Sequence, residues 1–229
     1  MADLEIIEQP SPNHDARPDG QAIDVLLLHY TGMKTGAEAL ERLCDPAAKV
    51  SAHYMVEEDG RIFQLVSESR RAWHAGAAQW QDASDINARS IGVEIVNPGH
   101  EFGYRSFPAE QMAGVKRLCL DILARHPIPA ARVLGHSDVA PLRKEDPGEL
   151  FDWRGLAAAG IGLWPESGSA AVLENAVGKA LKRVGYGYTE ADLPAVIRAF
   201  QRRYRPANLT GTADAETRRR LAALLAAID

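Results

Sequence analysis

The chain has 229 residues, 46% of them hydrophobic and 25% charged, a balance that suits a globular protein with one good core or with one domain and a small second one. A net charge of −5 excludes a nonspecific nucleic-acid binder, which must concentrate Lys and Arg against phosphates, and leaves Arg218-Arg219-Arg220 as the solvated face of a terminal helix. The two cysteines, Cys44 and Cys119, fall at apolar-periodic positions and imply no disulfide framework. Met1-Ala2-Asp3-Leu4-Glu5 lacks a basic n-region and an apolar h-region, and no run is long enough for a transmembrane segment. The expected location is therefore cytoplasmic, with a periplasmic or wall-associated location by another route left open, as is the oligomeric state.

Residues 1–22, with Pro10, Pro12, Pro18 and Gly20 among polar residues, read as an extended N-terminal arm. Val25-Leu26-Leu27-Leu28 is a short, wholly apolar run, the pattern of a buried strand, and it delivers His29. Ala37, Leu40, Leu43 and Cys44 follow with helical spacing that stops at Asp45-Pro46. Tyr54-Met55-Val56 and Arg61 to Val66 flank an Asp59-Gly60 pair, a hairpin signal. Ile91 to Val96 is a second buried strand with a carboxylate, Glu94, inside it, and it ends at Asn97-Pro98-Gly99.

Pro108 opens a long helical pattern through Met112, Val115, Leu118, Cys119, Ile122 and Leu123, closed by His126-Pro127. Arg132-Val133-Leu134 is a last short strand delivering His136 into a Gly- and Pro-punctuated loop that also carries Lys144 and Asp146. The fold class is α/β, a mixed central sheet flanked by helices over residues 23–164. A linker at 165–171 leads to three helical patterns in 172–229, with Thr189 and Asp192 resembling a capping box and Asp214 a candidate N-cap.

His29 and His136 are too far apart in sequence to form a metal motif by spacing, yet each follows an apolar run and so stands at a strand end, where side chains converge on a rigid frame. With Asp146 they complete a possible site of two histidines and one carboxylate; the bland reading of Asp146 is a turn residue before Pro147-Gly148. Glu94 is costly in an apolar strand unless it is paired, protonated or placed for catalysis. His53 reads as packed or behind the site, and His14, His100 and His126 as surface or helix-end residues.

Six ordered segments then converge: Leu28-His29-Tyr30-Thr31; Ser51-Ala52-His53-Tyr54 with its hairpin; Arg71-Ala72-Trp73-His74-Ala75-Gly76; Asn87 to Glu94; Gly135-His136-Ser137-Asp138; and Arg143 to Gly148 through Phe151-Asp152-Trp153. Together residues 24–153 resemble the zinc-dependent N-acetylmuramoyl-L-alanine amidases of the type-2 amidase family, related to peptidoglycan recognition proteins. The resemblance implies Zn2+ on His29, His136 and Asp146, with Glu94 and Lys144 as catalytic groups and Trp73, His74 and Asn87 as substrate-binding residues. The implied substrate is a peptidoglycan fragment or the cell wall, cut between N-acetylmuramic acid, or its 1,6-anhydro form, and L-alanine.

The three C-terminal helices resemble a peptidoglycan-binding domain through Leu181, Gly185-Tyr186, Ala199-Phe200-Gln201, Gly211, Asp214 and Thr217. Such a module is expected to act by tethering, leaving the chemistry to residues before the linker. Two other functions use the same site: a noncatalytic peptidoglycan-recognition module, and a zinc peptidase acting within the stem peptide.

Overall fold

The computed structural model describes residues 4–228. Its main sheet has six strands. In chain order these include β1 (Ile6–Glu8), β3 (Val25–Tyr30), β4 (Tyr54–Val56), β5 (Ile62–Gln64), β7 (Ser90–Ile95) and β8 (Val133–Gly135). They lie side by side in the order β1-β5-β4-β7-β3-β8, and only β4 and β5, the two arms of the expected hairpin, are antiparallel. The short strands β2 (His14–Ala16) and β6 (Arg70–Ala72) pair separately. The N-terminal arm thus adds a strand to each sheet, and its Arg17 donates hydrogen bonds to the carbonyls of Glu68, Asn87, Ala88 and Ser90.

Nine α-helices are described: α1 (Gly36–Cys44), α2 (Ile86–Arg89), α3 (Gly99–Phe102), α4 (Ala109–Arg125), α5 (His136–Val139), α6 (Trp153–Ala158), α7 (Val177–Val184), α8 (Leu193–Tyr204) and α9 (Ala215–Ile228). Thr35 caps α1 by accepting from Glu38 N–H, and Asp214 accepts from Thr217 N–H at the start of α9. The cap of α8 differs from the capping-box expectation. Asp192 itself accepts from Ala195 N–H, because Pro194 in the first turn lets the helix begin at Leu193.

The central strands are largely apolar because both faces are covered. Leu26, Leu28, Ile91, Val93 and Ile95 pack with Val115, Leu118, Cys119 and Ile122 of α4. The other face is divided. Met55 and Phe63 pack with Ala39 and Leu43 of α1, while Val25, Leu27 and Leu134 join Val177, Leu181, Val196, Phe200, Leu221 and Leu224 of α7, α8 and α9. His29 and Glu94 belong to this second face, between the two helix groups.

The stretch from Glu166 to Ala171 is exposed, as a linker would be, and three helices follow it. Those helices nevertheless share one apolar core with the sheet instead of closing a core of their own. Polar contacts reinforce the junction. Arg203 donates to Asp138 Oδ2 at 2.9 Å and to the Val133 carbonyl at 2.9 Å, and Tyr186 donates to Asp138 Oδ1 at 2.7 Å.

Candidate active site

Three donor atoms meet at the C-terminal ends of the parallel strands, where open α/β sheets place ligands. His29 ends the apolar run of β3, His136 opens α5 directly after β8, and Asp146 sits on the following loop. His29 Nδ1 lies 2.9 Å from His136 Nδ1, and Asp146 Oδ2 lies 3.0 Å from each of them. All three residues are buried. The loop is tied back to the helix by Ser137 N–H, which donates to the Asp146 carbonyl at 2.9 Å.

Two facing ring nitrogens 2.9 Å apart cannot both carry protons. Two imidazole lone pairs and a carboxylate directed at one point, with spacings of about 3 Å, suit an ion held at about 2.0–2.2 Å from each. These residues form the one group able to hold a metal among the described residues. Burial and the neighbouring His136 press the His29 pKa down to about 4, which keeps its ring neutral and able to ligate. Burial alone would raise the Asp146 carboxyl, but His136 and His29 hold it well below the usual range, so it is anionic.

The donors open onto a cleft of about 350 Å³ lined also by Glu94, Lys144, Arg42, His100 and Glu101. Glu94 stands opposite His29 in the β3–β7 register. Burial pushes its carboxyl well above the carboxylate range; Asp146 pushes the same way and Lys144 opposes them. Glu94 Oε2 is buried without a hydrogen-bond partner among the described residues, and Glu94 lines the cleft. Lys144 is half-buried and lines the cleft with it. The site thus combines a cation-binding triad, a carboxyl group primed to hold a proton, and a positive charge.

Of the three residues expected to bind substrate, His74 lines the cleft and Trp73 and Asn87 do not. His74 is 6% exposed and touches the cleft, but its ring nitrogens are engaged with His29 Nε2 at 3.0 Å and Ser90 Oγ at 3.3 Å. Asn87 is buried and accepts from the His74 and Ala75 amides through Oδ1, at 3.1 and 2.8 Å. Trp73 is partly exposed and does not line the cleft. His74 meets the far side of the His29 ring, and Asn87 holds the backbone of residues 74 and 75.

His53, expected as a packed residue, accepts from Gly92 N–H at 2.9 Å and lies behind His74, with ring centroids 5.6 Å apart. His100, expected at the surface, lines the cleft and bonds Tyr30 Oη at 2.9 Å. Asp138, Arg202 and Arg203 were not expected. Asp138 Oδ2 accepts from Gly135 N–H at 2.8 Å and so holds the turn that presents His136, while Arg202 donates to Glu145, the neighbour of Lys144 and Asp146, at 2.8 Å. The signal for Arg203 was available: with Val196, Phe200 and Tyr204 it falls on the apolar stripe of α8, where a charge requires a partner.

Comparison with known proteins settles the kinship. The family model described as N-acetylmuramoyl-L-alanine amidase matches residues 19–149, more than half of the chain. The chain belongs to this amidase family. The N-acetylmuramoyl-L-alanine amidase AmiD of Escherichia coli is 36% identical, the match covering 96% of this chain and 90% of AmiD. The complex of AmiD with the substrate anhydro-N-acetylmuramic acid-L-Ala-D-γ-Glu-L-Lys superposes with a TM-score of 0.82 over 92% of each chain. AmpDh3 from Pseudomonas aeruginosa gives a TM-score of 0.83 at 33% identity, covering 92% of this amidase and 94% of AmpDh3. The E. coli 1,6-anhydro-N-acetylmuramyl-L-alanine amidase AmpD is 36% identical, over 63% of this chain and 86% of its own.

Proposed function

We propose that this chain is a zinc amidase that hydrolyses the bond between N-acetylmuramic acid, in its 1,6-anhydro form or within the wall, and the L-alanine of the stem peptide. The observation that carries this reading is the His29–His136–Asp146 triad opening onto the same cleft as Glu94 and Lys144. The substrates and names of AmiD and AmpD support the choice of bond.

His29, His136 and Asp146 would hold zinc, which when bound supplies Lewis acidity to lower the pKa of water and polarise the scissile carbonyl. Glu94 takes the proton of the attacking water and returns it to the leaving nitrogen of L-alanine. Its raised pKa suits the second half of that shuttle; for the first, Lys144 already opposes the upward push of burial and Asp146, and a bound cation would act in the same direction as Lys144. The Lys144 ammonium faces the negative charge that develops on the carbonyl oxygen, a stabilisation present mainly in the transition state.

Mass spectrometry of the products tests the proposal, with soluble anhydro-muropeptides and intact sacculi as parallel substrates. A stem peptide released whole, with a free L-alanine amino group, is the expected product. Cleavage inside the stem would make the protein a peptidase, and binding without turnover would make it a recognition module.

A further inference from the structure

The triad binds a metal only if both histidines turn a proton-free nitrogen toward it, and the structure shows what enforces this. Both ligating atoms are Nδ1, so each ring must carry its proton on Nε2, and each Nε2–H needs an acceptor. For His136 the acceptor is the Ala75 carbonyl at 3.0 Å, nearer than the Arg143 guanidinium, which donates to the same carbonyl and lies 3.2 Å from the same Nε2. For His29 it is Nδ1 of His74 at 3.0 Å.

A second imidazole is an ambiguous partner, because it accepts at Nδ1 only when its own proton sits on Nε2. Ser90 removes the ambiguity. Its hydroxyl donates to the Ile86 carbonyl at 2.7 Å, which leaves a lone pair for His74 Nε2–H at 3.3 Å. A carbonyl can only accept, so the polarity of the chain Ile86–Ser90–His74–His29 is fixed in one direction. His74 and Ser90 are buried, at 6% and 0% exposure, which excludes competing solvent.

The backbone is held as firmly. Asn87 Oδ1 accepts from both His74 N–H and Ala75 N–H. Gly92 in the middle of β7 leaves room for the ring: a Cβ there would lie 2.5 Å from the His74 imidazole.

We infer that the dipeptide His74-Ala75, clamped by Asn87 and anchored through Ser90, is the positioning element that assigns the tautomer of both histidine ligands. One residue pair serves both rings, His74 by its side chain and Ala75 by its carbonyl. The inference rests on the metal-site reading above and concerns positioning residues, not groups that touch substrate.

The test is zinc affinity of the full chain, by competition with a chromophoric chelator, together with long-range ¹⁵N–¹H spectra of histidine-labelled, zinc-loaded protein. His74→Phe keeps a ring in the space but removes the acceptor, and it should raise the zinc dissociation constant about 10- to 100-fold, the range for outer-shell partners of a ligating histidine. His74→Gln, whose amide oxygen can accept from His29, should recover part of the loss. Ser90→Ala leaves every ligand and His74 in place; it should weaken zinc in the same direction and mix the His74 tautomers in the spectra. Should His74→Phe fail to fold, Ser90→Ala and the parent spectra decide the matter. Zinc affinities of His74→Phe and Ser90→Ala within twofold of the parent, or a parent spectrum with the His29 proton on Nδ1, would overturn the inference. A parent chain that binds no zinc would instead overturn the metal site itself.

Discussion

His29 and Glu94 stand directly opposite each other in the parallel pairing of β3 and β7, so the imidazole of the candidate metal site and a carboxyl group with no hydrogen-bond partner at Oε2 among the described residues project from the same sheet face at adjacent positions. Strand pairing fixes this juxtaposition more firmly than any loop could, and under the proposed function it divides labour: one residue for the ion, its neighbour for the proton. It also explains why a carboxylate is tolerated in a strand that is otherwise apolar.

Replacing a triad member should separate this arrangement from an ordinary buried ion pair. His29→Ala, His136→Ala and Asp146→Ala should each lose both zinc and amidase activity, since two protein donors are too few for a catalytic zinc site. Metal analysis after dialysis checks this; zinc retained at the parental level in all three variants would remove the triad from consideration.

Glu94→Gln should keep zinc and fold but lose turnover, because the amide preserves shape and cannot take a proton. The expected fall in kcat is about a hundredfold or more. Lys144→Ala should likewise lower kcat more than it raises KM, as its charge matters most when the carbonyl oxygen becomes negative. Steady-state kinetics on a soluble muropeptide decides both, and unchanged kcat in Glu94→Gln would require another proton carrier.

A further prediction concerns acid stability. Burial alone would raise the Glu68 pKa, but hydrogen bonds from Arg125, His126 and Tyr54 hold it down at about 2, against an ordinary value of 4.5. A carboxyl depressed in the folded state contributes stability above its unfolded pKa and loses it as pH falls. The contribution should be full above about pH 5 and fade toward pH 2, amounting to roughly 1–2 kcal/mol once solvent screening is allowed for. Thermal melts across that window should show a steeper acid loss for the parent than for Glu68→Gln; parallel curves would refute the assignment.

Much of the catalytic face was legible in the sequence because its signals are local. Apolar runs announced β3, β7 and β8, and the residues just past or inside them are His29, Glu94 and His136. The contacts of Asn87 were not legible, because a match of segments says which residues gather near a site, not which way their side chains face. Asn87 turns to the backbone of residues 74 and 75, a contact across the fold with no sequence spacing to reveal it. The packing of the C-terminal helices against the sheet was not legible for a related reason. An exposed Pro- and Ser-containing stretch looks the same whether it joins two cores or loops across the surface of one, and only the apolar cluster that contains both Leu27 and Phe200 tells them apart.

That shared packing predicts a cost for a shortened chain. A protein ending near Ser167 would expose Val25, Leu27 and Leu134 and would leave Asp138 without Arg203 and Tyr186, while Asp138 still has to hold the turn before His136. Removing one partner of a buried ion pair typically costs about 3–5 kcal/mol, since the remaining charge stays desolvated. Arg203→Met isolates this effect with the apolar cover intact, and it should lower the melting temperature markedly and weaken zinc through the loosened His136. The shortened chain, losing cover and partner together, should melt at lower temperature still or fail to fold. Asp138→Asn combined with Arg203→Met should recover part of the stability of Arg203→Met, because it removes the stranded charge. If the shortened chain keeps parental melting behaviour, zinc content and turnover of small muropeptides, the C-terminal helices are a tethered module after all and the buried pair is dispensable to the site.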